Sequence, residues 1–138
     1  MVDQPCTSLI NADLTGLGIV NAISKPESDA NGSQCAWTGD SGGGISIGWE
    51  TVNTNGLSDM YAKSSTIAYW QPTTVAGYPA AYGDAISDQR SQGVCVIDTA
   101  VSNKLDFIAQ FDNPLNPGQS CTLAKQAAAD VIKNLGGS

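Results

Sequence analysis

Four cysteines, in a chain of 138 residues that has no histidine, constrain this sequence more than any other feature. Cys6, Cys35, Cys95 and Cys121 lack the close CxxC spacing of a zinc or redox site, and an even count in a small acidic chain reads as two disulfides. Because disulfides persist outside the cytoplasm, the expectation is a secreted or surface-anchored domain. Four cysteines allow three connectivities. The pairing favoured is Cys6 with Cys35 and Cys95 with Cys121, since each would tie a strand to a flanking helical segment close in sequence. Loops of that size stabilise by roughly 3 to 4 kcal/mol each in the chain-entropy model, against a total stability of about 5 to 15 kcal/mol. Four buried free thiols in a cytosolic protein is the competing reading.

The length suits one domain, residues 1–138, and a hydrophobic fraction of 41% can build one core. A net charge of -7 offers no basic stripe for nucleic acid and no attraction to an anionic membrane surface. No apolar run approaches the roughly 18 to 20 residues that span a bilayer. Met1-Val2-Asp3-Gln4 is polar and leads straight into Pro5 and Cys6. The expectation is a mature chain, with Met1 an addition of recombinant expression and any export signal or lipid anchor upstream.

Along the chain, residues 7–17 carry Leu9, Ile10, Leu14 and Leu17 at near-helical spacing, with Thr7 and Asn11 as caps and Gly16 and Gly18 as stops. One or two short helices are expected there, and residues 25–33 read as a polar loop. Residues 34–38 and 44–50 predict a hairpin, in which Ile45, Ile47 and Trp49 alternate with small or polar residues. Residues 57–63 suggest a short helix with Leu57, Met60 and Tyr61 inward. The aromatic stretch 70–84, punctuated by Pro72 and Pro79, predicts one short edge strand at 73–78. Residues 93–100 and 104–111 read as a second hairpin, and Ser120 as the cap of a helix to about Leu135. Its apolar stripe comprises Ala124, Ala127, Ala128, Val131, Ile132 and Leu135. The sum is an α+β domain: an antiparallel sheet of about five strands, with short N-terminal helices and the C-terminal helix packed on one side.

Gly39-Asp40-Ser41-Gly42-Gly43 spells the nucleophile motif of chymotrypsin-like serine proteases, but without a histidine base it reads as a glycine turn. No S-x-x-K supports a lysine base, and Lys63, Lys104, Lys125 and Lys133 read as solvated. Paired carboxylates are the enzyme chemistry that composition permits, with Asp40, Glu50, Asp84, Asp88 and Asp98 as candidates. Solvated acids are the plainer reading of all five. Asp84, Ser87 and Asp88 offer a weak calcium signal that matches no EF-hand, and no metal or other cofactor is expected. Tyr61, Tyr69, Trp70, Tyr78 and Tyr82 form an aromatic group that either lines a groove or serves as a core layer of the sheet. Trp70, Tyr78 and Tyr82 are the candidate binding residues, and Trp70 and Tyr82, flanked by proline and glycine, are those expected to be exposed.

The order Pro5-Cys6, Cys35-x-Trp37, GISIGW at 44–49, WQPTTVAGYPAAY at 70–82, Gly93-x-Cys95 and Ser120-Cys121 before a terminal helix resembles a family of actinobacterial secreted lipoproteins, the domain of unknown function 3558. The resemblance covers nearly the whole chain. It implies a precursor with a signal peptide ending in a lipobox cysteine, a Ser/Pro/Thr-rich linker, and tethering outside the plasma membrane. It implies no enzyme activity. The layout is also similar to extracellular sensor domains of actinobacterial serine/threonine kinases, a likeness of fold rather than function. The functional expectation is a non-catalytic binding or sensor-like module at the cell envelope, taking a small envelope ligand or a protein partner. The alternatives are a carboxylate-dependent hydrolase of cell-wall glycans and a structural or assembly subunit.

Overall fold

A computed structural model describes residues 1–29, 32–51, 55, 57–62, 64–84 and 87–136. A 3-10 turn at Pro5–Thr7 precedes α1 (Asn11–Gly16), followed by β1 (Ile23–Asp29), β2 (Gly32–Thr38), β3 (Gly44–Glu50) and α2 (Leu57–Ala62). Then come β4 (Tyr69–Val75), β5 (Tyr78–Asp84), β6 (Val94–Ala100), β7 (Asp106–Asp112) and α3 (Ser120–Leu135). The described strands form one antiparallel sheet of seven, in the order β1-β2-β3-β7-β6-β5-β4.

The α+β expectation holds, but five strands become seven. The segment read as a polar loop, residues 25–33, holds most of β1 and the start of β2; β1 is an edge strand paired with β2 from Ile23↔Thr38 to Asp29↔Gly32. An edge strand needs no apolar face, and Pro26 costs it little where one side carries no partner. The single strand expected at 73–78 is instead the end of β4, a turn at Ala76 and Gly77, and the start of β5. Both turn residues have positive φ, 50° and 87°, the backbone of a tight hairpin turn. Ala76 gives no sequence signal for that conformation.

Alternation along the central strands decides the core. Trp37, Ile45, Ile47, Trp49, Cys95, Ile97, Phe107, Ala109 and Phe111 are buried on one face. Over that face lies α3, whose Ala124, Ala127, Ala128 and Val131 are fully buried, their small side chains letting the helix approach β6 and β7 closely. Ile132 is half-buried against the core, but Leu135, expected in the stripe, is 42% exposed. Ser120 does not cap the helix from outside: it is the first helical residue, and its hydroxyl donates to the Gly93 carbonyl at 2.6 Å.

The N-terminal turn and α1 share that face. Trp49 Nε1 donates to Ser8 Oγ at 3.1 Å, and the Trp49 and Phe107 rings lie 5.1 Å apart. Neither Thr7 nor Asn11 caps α1. Asp13, one turn in, accepts the Ile10 amide on Oδ2 at 3.0 Å. The same oxygen accepts Asn134 Nδ2 at 2.8 Å, and Oδ1 accepts Lys133 Nζ at 3.1 Å, so one buried carboxylate joins α1 to α3. Burial works to raise the Asp13 pKa, but the donors from Ile10, Asn134 and Lys133 together outweigh it and hold the carboxyl below its usual value.

The favoured connectivity is the one present. Cys6 bonds Cys35, tying the N-terminal turn to β2, and Cys95 bonds Cys121, tying β6 to the first turn of α3, each with Cα atoms 5.0 Å apart. None of the described helices is long and apolar enough to cross a membrane.

Candidate functional site

The aromatic group does not form one surface. In the β4–β5 register Trp70 opposes Gly83 and Tyr82 opposes Gln71, so Trp70 projects from one face of the sheet and Tyr78 and Tyr82 from the other. The Trp70 ring crosses Gly83 closely enough that a Cβ there would lie 2.8 Å from it. On that side Tyr61 of α2 stands edge-on against Trp70, ring centroids 5.1 Å apart, which places α2 on the face opposite α3. The exposures expected for Trp70 and Tyr82 fall elsewhere: both are half-buried, while Tyr61 and Tyr78 are 43% and 41% exposed. Of the residues expected inward on α2, Leu57 is buried and Met60 half-buried. Tyr69 lies under the Arg90 guanidinium, 4.0 Å from its ring centroid, and its hydroxyl meets the Val96 backbone where β5 has parted from β6.

On the α3 side, Tyr82 lines a groove of about 340 Å³ between the β4–β5 turn and α3, with Val75, Ala76, Thr122, Lys125 and Gln126. Lys125 is not a simply solvated lysine. It is half-buried, and its Nζ donates to Thr73 Oγ1 of β4 at 3.2 Å. Lys133 is exposed as expected, but its Nζ reaches Asp13 Oδ1 at 3.1 Å and lies 3.7 Å from Asp130. Lys104 is exposed, and Lys63 lies outside the described residues. Burial pushes the Tyr82 phenol up, so it is a neutral hydroxyl at ordinary pH.

The five candidate carboxylates are dispersed. Asp40 accepts Asn21 Nδ2 at 2.6 Å in the turn between β2 and β3, where Gly42 has φ 83° and the Gly39 amide bonds the Gly43 carbonyl. The protease-like motif is thus a glycine turn. Asp88 accepts both Nε and Nη2 of Arg90, at 2.8 and 2.7 Å, which holds its carboxyl at about 2. Among the described residues, no three histidine, cysteine or acidic side chains converge closely enough to hold a metal ion.

Glu50 and Asp98 do come together, through a third acid that the sequence reading did not single out. Asp106 is directly opposite Glu50 in the β3–β7 ladder, and Asp98 is its diagonal neighbour on β6. Asp98 is 5% exposed and Asp106 is fully buried. Burial first, then the hydrogen bond with Asp106 and the charges of Asp106 and Glu50, push Asp98 up to about 10. At neutral pH it therefore carries the proton that the pair shares. The available signal was Asp98 itself, an acid in the middle of the apolar strand VCVIDTA, where burial demands a partner.

What this arrangement can do chemically divides along the sheet. Asp98, whose proton affinity is raised into the alkaline range, is covered, whereas the groove beside Tyr82 presents an ammonium and hydroxyl groups. No curated protein matches the chain. Residues 2–134 match the family described as "Protein of unknown function (DUF3558)", and with nearly its whole length inside that match the chain belongs to this family.

Proposed function

We propose that the domain is a non-catalytic binding or sensor-like module of the cell envelope, exported and lipid-anchored in its precursor as in actinobacterial lipoproteins, and that the β4–β5 hairpin carries its binding surface. The observation that carries this reading is the split between chemistry and access. Asp98, the acid whose proton affinity is raised to about 10, is enclosed beside the buried Asp106, while Tyr61 and Tyr78 are exposed around a hairpin with a groove beneath it. Two disulfides support an oxidising location.

Native mass spectrometry of the oxidised protein recovered from the envelope of its own host tests the reading. A discrete extra mass that is lost on denaturation is expected. A bare chain that turns over glycan would overturn it. The glycan hydrolase remains the second reading because Glu50 and Asp98 do lie near each other. It predicts that Asp98→Asn abolishes turnover, by several orders of magnitude.

A further inference from the structure

In a chain with thirteen acidic residues, cations are readily neutralised by neighbours, and most of those described here are. Lys25 pairs with Glu27, Arg90 with Asp88, and Lys133 with Asp13 and Asp130. Lys125 is different. Lys125 lines the groove, its ammonium donates to the neutral Thr73 hydroxyl at 3.2 Å, and no carboxylate among the described residues pairs with it.

Tyr82 lines the groove from β5, facing α3, with no hydrogen bond to its hydroxyl among the described residues, and Thr122 and Gln126 add polar groups on the α3 side. The rest of the lining, Val75, Ala76 and Ala129, is apolar. Its volume, about 340 Å³, lies within the range of roughly 300 to 1,000 Å³ that small-molecule sites occupy. One ammonium balances one negative charge, and a background of -7 opposes binding a polyanion.

We infer that this groove binds a small monocarboxylate with a short apolar body, its carboxylate on Lys125 and the Tyr82 hydroxyl and its body against Val75 and Ala76. The assignment rests on the binding-module reading and names its ligand class. The ammonium supplies a charge-assisted hydrogen bond, the phenol a neutral one, and the apolar wall a contact that a bare inorganic anion cannot use.

Titration of the oxidised protein with octanoate, followed by amide chemical shifts, tests it, with octylamine and chloride as controls. Saturable one-site binding is expected, with shifts centred on residues 73–82 and 122–129 and no response to octylamine. Lys125→Gln weakens binding by about tenfold or more, Lys125→Arg restores most of it, and Lys104→Gln, at an exposed lysine outside the groove, leaves it unchanged. Absence of saturation, or equal affinity in wild type and Lys125→Gln, overturns the assignment. That failure is distinct from failure of the module itself: an envelope-derived mass bound elsewhere would leave the module reading standing, and glycan turnover by a bare chain would remove both.

Discussion

At one edge of the sheet the β1–β2 hairpin continues into β3 through seven residue pairs and is stapled to the N-terminal turn by Cys6–Cys35. At the other edge the β4–β5 hairpin joins β6 through three pairs, Ala80↔Thr99 to Tyr82↔Ile97, and neither disulfide reaches it. Both outer strands carry a mid-strand proline, Pro26 and Pro72, so both are blunted against adding a further strand. The edges share a device against aggregation but differ in how they are held. Stability in such a sheet is uneven, and segments that bind or adjust are drawn from its weaker part. The candidate groove is built on the weaker hairpin, against a helix pinned to the stronger body by Cys95–Cys121.

Reducing both disulfides should erase the contrast by destabilising the strong side. Their loops span 29 and 26 residues, and their combined loss, on the order of 6 kcal/mol, is comparable to the total stability of a domain this size. Urea unfolding with and without reductant reads it, and an unchanged midpoint would mean that the staples do not hold the body. Asp13→Ala is expected to cost about 2 to 4 kcal/mol on the same side, because it strands the Ile10 amide, Asn134 and Lys133 at once. Its contribution is present above pH about 4, the unfolded value, and is lost as pH falls through the lowered folded value.

Asp98 gives the opposite slope. Its folded pKa is raised from 3.8 to about 10, so the native state holds a proton that the unfolded chain releases. Stability is full below about pH 4 and declines as pH rises towards 10. Asp98→Asn, which still offers a donor to Asp106, flattens that decline and matches or exceeds the wild type at pH 8, as thermal melts across pH will show. The smallest effect belongs to the hairpin tip. Ala76→Gly relieves a positive φ of 50° and stabilises the β4–β5 turn by about 0.5 to 1 kcal/mol, read as a small rise in melting temperature.

The stronger side was also the more legible in sequence. β2, β3, β6 and β7 alternate or run apolar because they have neighbours on both edges and a helix on one face, and α3 shows its alanine stripe for the same reason. β1 was illegible because its core-side positions hold Ser24, Pro26 and Ser28, two polar residues and a residue that reads as a strand breaker. The β4–β5 turn was illegible because alanine rarely takes a left-handed conformation. Of the site, Tyr82 was named from sequence, but Lys125 read as solvated, since no local pattern tells a lysine facing water from one held by a threonine 52 positions away.

Native-state hydrogen exchange on the oxidised protein tests the central claim most directly, that a loosely seated binding hairpin rides on a stapled body. The β4 and β5 amides are expected to exchange through a local opening, well before those of β3, β6 and β7. Exchange of all these strands through one common global unfolding would contradict it.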